Sequence, residues 1–252
     1  MIPDAHCHLD QLADPEGALR AATDAGVGPI LAVSMDAASA ERVLELRARF
    51  GPMILAGVGL HPGVIPGMSA EEQVRQLQRI EGLLPQADFV GEIGLDHKDA
   101  VNDTDRARQR EALELQLSWA AGRRLPVNLH SRRADREVLD SAIGFHQRTG
   151  LGALMHWFTR SDKLARACAA SGIFVSAGPS VLVDPRTAAT AARVDSSILL
   201  VETDSPVEYG SHGPASPAWA ARVLDSLAET RGVSRHELAS EVGRNLARYL
   251  GR

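Results

Sequence analysis

Apolar and polar positions follow two alternating patterns along this chain. Short runs of Val, Ile, Leu and Ala, too uniformly apolar to leave a wet face, recur at intervals of roughly thirty residues. Longer amphipathic stretches separate them. The runs predict strands at Ile2 to His6, Pro29 to Val33, Met53 to Val58, Phe89 to Ile93, Leu125 to His130, Ala153 to His156, Ile173 to Ser176 and Ile198 to Glu202. Uniformly apolar strands are those buried on both faces, as in parallel sheets. Helix signals fall between them. Asp14-Pro15 supplies an N-cap followed by proline, with Gly26 as a stop, and Ser69 with Glu72 has capping-box spacing. Asp103 to Arg123, Ser131 to Arg148, Ser161 to Ala170 and Pro217 to Arg231 carry helical patterns, and Ser234 with Glu237 opens a last helix through Tyr249. Eight β-then-α units predict an α/β fold, a (β/α)₈ TIM barrel over residues 1–252, with an extra C-terminal helix packed across the barrel's outside. An open doubly wound sheet would want a glycine-rich phosphate turn after an early strand, and none is present.

Composition narrows the function. With 44% apolar residues the chain can bury a large core, and with 4% aromatic residues that core is aliphatic. A net charge of -5 excludes a general basic nucleic-acid binder, so phosphate recognition has to be local or run through bound metal. Two cysteines, Cys7 and Cys168, cannot form a disulfide framework. The start at Met1-Ile2-Pro3-Asp4 lacks a basic segment followed by an apolar one, and no run reaches the roughly 18 residues of a membrane span. The expectation is a cytoplasmic protein with no membrane contact.

The chemistry shows in where the metal-competent side chains fall. His6 and His8 end the first predicted strand, Glu92 the fourth, His130 the fifth and His156 the sixth, and Asp204 follows the eighth. Strand C-termini of a barrel converge on one mouth, so these six side chains meet there. Strand side chains alternate, so His6 and His8 face the same way while Cys7 turns into packing. A single histidine at a strand end is usually structural; four beside two carboxylates exceed what one tetrahedral ion needs. Two divalent ions (Zn²⁺, Mn²⁺ or Mg²⁺) are the economical expectation. Glu92 would bridge them, with His6, His8 and Asp204 on one and His130 and His156 on the other. Asp204 and Glu92 are the catalytic candidates, Asp204 as general base. His146 and His236 fall within helices and are expected to be solvated; His212 lies in a loop.

Six motifs occur in order along nearly the whole chain: Asp4-Ala5-His6-Cys7-His8-Leu9-Asp10, Gly59-Leu60-His61-Pro62, Val90-Gly91-Glu92-Ile93-Gly94-Leu95-Asp96, Leu129-His130-Ser131-Arg132, Met155-His156-Trp157-Phe158-Thr159 and Glu202-Thr203-Asp204-Ser205-Pro206. Together they resemble the TatD family of metal-dependent hydrolases. The resemblance implies an amidohydrolase-superfamily barrel, a divalent-metal centre and deoxyribonuclease activity, often exonucleolytic from the 3′ end. By motif position it places the ligands on His6, His8, Glu92, His130, His156 and Asp204. His61 matches the family's G-x-H-P motif and is expected at the substrate phosphate. Asn245 matches its closing helix motif. Two positions depart: His97 stands where members commonly have tyrosine, and the segment from Gly210 to Pro217 lacks the usual arginine and asparagine.

The expected substrate is single-stranded or end-proximal DNA. Arg132, at the mouth, is expected to meet phosphate, and Trp157 to stack on a base or pack over the mouth; Phe158 is expected to pack. Arg133 and Arg136 read as a solvated face pairing with Asp135 and Glu137, and Gly178-Pro179-Ser180 as a weak anion signal. Two other readings fit the same residues. One is a metal-dependent esterase or amidase, such as an aminoacyl-tRNA deacylase or a lactonase. The other is a non-catalytic subunit of a larger assembly.

Overall fold

Val27, Ile30, Leu31, Ala32 and Val33 are all fully buried, and the other apolar runs behave alike. Each is covered by helices outside and by its opposite numbers inside, which is why no polar alternation interrupts it. The computed structural model describes residues 1–157 and 161–252. Its strands are β1 (Ile2–Cys7), β2 (Val27–Val33), β3 (Ile54–Val58), β4 (Phe89–Asp96), β5 (Val127–Arg132), β6 (Ala153–Met155), β7 (Phe174–Ala177) and β8 (Leu199–Val201). They lie in chain order in one sheet, each parallel to the next. The result is the expected (β/α)₈ barrel. Strand ends move by one to three residues from the sequence expectation. The shift that matters is in β5, which runs on to Arg132, so the helix expected from Ser131 begins at Asp135.

The helices are α1 (Pro15–Asp24), α2 (Ala37–Phe50), α3 (Ala70–Leu83), α4 (Asp103–Arg123), α5 (Asp135–Thr149), α6 (Asp162–Ala170), α7 (Ser180–Val183), α8 (Pro185–Ala192), α9 (Trp219–Arg231) and α10 (Arg235–Tyr249). Asp14, Ser69 and Ser234 cap their helices as their spacing predicts, and Ser161 caps α6 as well, each side chain accepting from a backbone N–H in the first turn. Three helices lie outside the sequence expectation: α2, capped by Asp36, the short α7, and α8, capped by Asp184. The last helix, α10, packs against its neighbour α9 and also reaches the N-terminal ends of the strands. Asn245 donates to the carbonyls of Ser196 and Leu199, and the Tyr249 ring meets Phe174 edge-on. No described helix is long and apolar enough to cross a membrane.

The seam between the first and last strands is made by motif residues. β8 ends at Val201, and the chain beyond it is sewn to β1. Asp204 N–H donates to the His6 carbonyl at 2.9 Å and His8 N–H to the Ser205 carbonyl at 2.9 Å. Below them, the buried Asp4 carboxylate accepts from Thr203 N–H at 2.8 Å and from Thr203 Oγ1 at 2.6 Å. Closure of the barrel and placement of His6, His8 and Asp204 are therefore one event. Thr203→Val keeps the shape and deletes one bond to a buried carboxyl. It should lower stability by about 1–3 kcal/mol, read as a shift of the urea midpoint of metal-free protein. An unchanged midpoint would contradict this account of the seam.

Candidate metal centre at the barrel mouth

The period of β1 brings His6 and His8 to one side of the mouth, as the His-x-His spacing predicts. His6 Nε2 lies 3.4 Å from Glu92 Oε2 and 3.5 Å from Asp204 Oδ1; His8 Nε2 lies 3.4 Å from both. Cys7 is fully buried, its sulfur 3.1 Å from Ser205 Oγ. Asp204 reaches the cluster from a backbone with φ of 48°, in the left-handed region. A non-glycine residue there costs roughly 1–3 kcal/mol, and the seam bonds of its own backbone hold it in place.

Glu92 stands between two sets of donors. Its Oε2 faces His6 and His8, the two rings that also meet Asp204. Its Oε1 faces His130 Nδ1 at 2.6 Å, His156 Nε2 at 2.7 Å and His61 Nε2 at 3.2 Å. Gly94 permits the approach of β4 to β5 behind it: a Cβ there would lie 2.0 Å from the His130 carbonyl oxygen. All six predicted ligands thus meet at one place. Burial alone would raise the Glu92 carboxyl, but the charges of His61, His156, His6 and His130 hold it well below the usual carboxylate range. Burial likewise acts against Asp204, and the His8 hydrogen bond leads the effects that hold its pKa below normal. His8 shows the reverse balance. Burial pushes its pKa down, but hydrogen bonds to Asp204 and Glu92 bring it up to about 10.

The donor set fits a divalent ion. His6 Nε2 and Glu92 Oε2 are buried without any hydrogen-bond partner, an arrangement that is costly unless something binds there. His6 Nε2 and His8 Nε2 each lie 3.4–3.5 Å from Glu92 Oε2 and Asp204 Oδ1, spacings open to donors that share one ion at ~2.1 Å, the zinc–nitrogen and zinc–oxygen distance. On the other side of Glu92, His130 Nδ1 and His156 Nε2 are 3.4 Å apart.

His61 differs from the others. Its Nδ1 accepts the Gly63 N–H at 2.9 Å, so in the neutral ring the hydrogen sits on Nε2. Burial, the largest effect, lowers its pKa and favours that neutral ring. The nitrogen facing Glu92 is then a donor with no free lone pair. His61 lies in the cluster but is built to give a hydrogen bond, in keeping with its expected place at substrate.

Buried polar side chains outside the predicted set hold these groups. Asp96 Oδ2 is 3.1 Å from His130 Nε2, which leaves Nδ1 turned to Glu92. Burial pushes Asp96 up, but the His130 hydrogen bond and two backbone N–H groups hold it at about 2. Glu202 accepts from Ser176 Oγ at 2.5 Å and Trp157 N–H at 2.6 Å, and lies 3.8 Å from His156 Nδ1. Asp96 is four residues from Glu92 on β4, so strand periodicity is the signal that finds it; Glu202 lies just past the end of β8, two residues before Asp204.

The remaining candidates line the approach. Arg132, expected at a helix start, ends β5; it is half-exposed, with Nη1 4.0 Å from Asp96 Oδ2. His97 donates its backbone N–H to the Arg132 carbonyl, and its buried Nε2 has no partner. Trp157 stacks on Tyr209, ring centres 6.0 Å apart, an aromatic partner that the sequence reading missed. Phe158 and Thr159 lie outside the described residues. Arg136 pairs with Asp140, one turn along its helix, while Glu137 pairs with Arg110, not with the partners expected from sequence. His146, expected to be solvated, is part-buried and bonded to the Leu151 carbonyl, because α5 ends there and leaves that oxygen in reach. His236 and His212 are exposed.

Comparison with known proteins gives the family. Residues 3–251 match the family described as TatD related DNase. The chain is 34% identical to YjjV of Escherichia coli, an uncharacterized metal-dependent hydrolase, over 96% of this chain and 95% of that one. It is 26% identical to the human protein named deoxyribonuclease TATDN3, over 97% and 92% of the two chains. The crystal structure of the E. coli YjjV protein superposes with a TM-score of 0.86 and 31% identity, covering 100% and 98% of the chains. With the match running nearly end to end, the chain belongs to the TatD family of metal-dependent hydrolases.

Proposed function

We propose that this hydrolase cleaves phosphodiester bonds of DNA, removing nucleotides from a single-stranded or end-proximal 3′ terminus, with two divalent ions held on either side of Glu92. The observation that carries the reading is the two-faced Glu92 carboxylate, one oxygen toward His6 and His8, which also meet Asp204, and the other toward His130 and His156. The family description and the name of the human relative support DNA as substrate.

Two bound ions would supply a water of lowered pKa and positive charge opposite the phosphoryl oxygens. The chain's own groups do the rest. Asp204, held ionised beside His8, accepts the proton of the attacking water. His61 donates its Nε2 hydrogen to a phosphoryl oxygen in place of Glu92. Arg132 at the rim meets a neighbouring phosphate, and Trp157 offers a ring to the terminal base. His97 adds a donor beside Arg132. Asp96 holds His130 by a hydrogen bond, and Glu202 sets its charge 3.8 Å from His156 Nδ1.

End-labelled oligonucleotides incubated with Mg²⁺, Mn²⁺ or Zn²⁺ test this directly. The expected result is stepwise shortening from the 3′ end, reduced about 10²- to 10⁴-fold in Asp204→Ala. No cleavage with any metal, or equal cleavage by the variant, would overturn it. Hydrolysis of an aminoacyl ester or lactone in the absence of DNA cleavage would move the same centre to a carbonyl substrate. The charge state of His8 gives a second prediction. Metal-free protein carries its proton near neutral pH, and coordination must displace it. Zinc titration calorimetry in buffers of different ionisation enthalpy should show proton release, with affinity falling about tenfold per pH unit for each proton as pH drops. Buffer-independent heats would contradict the protonated state.

A further inference from the structure

Asn128 sits on β5 two residues before His130 and is fully buried. Its Nδ2 donates to the Ala5 carbonyl at 3.1 Å, and its Oδ1 lies 3.1 Å from His6 Nδ1. The first bond settles the direction of the amide. A carbonyl only accepts, so the nitrogen must face Ala5 and the oxygen must face His6. An amide oxygen also only accepts, so His6 Nδ1 must carry the hydrogen. A neutral His6 then has its lone pair on Nε2. That is the atom aimed at Glu92 Oε2 and Asp204 Oδ1, and it has no hydrogen-bond partner of its own. The plane of the ring is set by its stacking on His156, with centroids 3.7 Å apart and planes within 9°, and within that plane the Asn128 amide faces Nδ1.

The other histidine of the pair lacks such a device. His8 Nδ1 is buried with no partner at all, so only Glu92 and Asp204 orient that ring. His130 is oriented the opposite way round, Asp96 holding Nε2 and leaving Nδ1 for the centre. His6 and His130 therefore each present a nitrogen decided by what holds the far side of the ring, and for His6 that holder is a neutral amide from another strand.

We propose that Asn128 is the positioning residue of this centre: by accepting the His6 Nδ1 hydrogen it commits Nε2 to the metal before any ion arrives. The proposal rests on His6 being a ligand and is independent of which bond the enzyme cleaves. Removing such a holder from a metal-bound histidine weakens metal affinity by about 10- to 100-fold.

The test uses the full chain labelled with ¹⁵N-histidine, the His6 signals assigned by their loss in His6→Gln. In metal-free wild type, at a pH where the ring is neutral, nitrogen shifts should show hydrogen on His6 Nδ1 and a bare Nε2. Asn128→Leu, similar in size but unable to accept, should give a mixed or reversed tautomer. Its zinc affinity, measured by competition with a chromophoric chelator, should fall about 10- to 100-fold, with helical circular dichroism retained. Asn128→Asp keeps an acceptor and should hold both the tautomer and the affinity within a few-fold. Wild-type His6 with its hydrogen on Nε2 would overturn the proposal outright, whether or not Asn128→Leu folds. So would a folded Asn128→Leu that binds zinc as wild type does.

Discussion

A carboxylate buried to 1% exposure among imidazoles is the constraint around which this molecule is arranged. Taken alone, an ionised Glu92 at that depth would cost several kcal/mol. Its two oxygens therefore need positive partners on both sides, and the barrel mouth provides them from β1, the loop after β3, β5 and β6. Those partners in turn need orienting, which draws in Asn128, Asp96 and Glu202. Breaking any layer leaves the next one with buried charge and no partner, a costlier defect than the loss of a neutral contact.

The same constraint reaches the fold through the seam. Parallel barrels close where the last strand meets the first, and here the strand-to-strand ladder gives way to bonds made by Asp4, Thr203 and the backbones of His6 and Asp204. The strained backbone at Asp204 sits in that seam. A residue that must both close the sheet and point into the centre has little conformational choice. The protein therefore gains a preorganised carboxylate from the energy of barrel closure.

Much of this was legible in the sequence because barrel geometry maps strand ends onto one place. His6, His8, Glu92, His130, His156 and Asp204 could be gathered from strand prediction alone. What escaped notice follows a rule. Asp4, Asp96 and Asn128 lie an even number of residues from His6, Glu92 and His130 respectively, so the period of a strand points to the groups that hold the ligands. Asn128, set between Val127 and Leu129, passes as one polar residue in a buried strand. Other misses have different causes. Helix α2 starts in a stretch of small residues after Asp36, where amphipathic contrast is weak. The tautomer of His61 depends on a backbone N–H two residues on, which only coordinates reveal. Arg132 was assigned to a helix because β5 carries polar residues through its last turn toward the mouth.

The central claim is that Glu92 joins two ions, and anomalous diffraction from crystals grown with zinc tests it most directly. Maps at the zinc edge should show two peaks about 3.5–4 Å apart. One should lie against His6, His8 and Asp204 and the other against His130 and His156, with Glu92 touching both. One peak with the second set of histidines bare, or peaks remote from Glu92, would contradict the account.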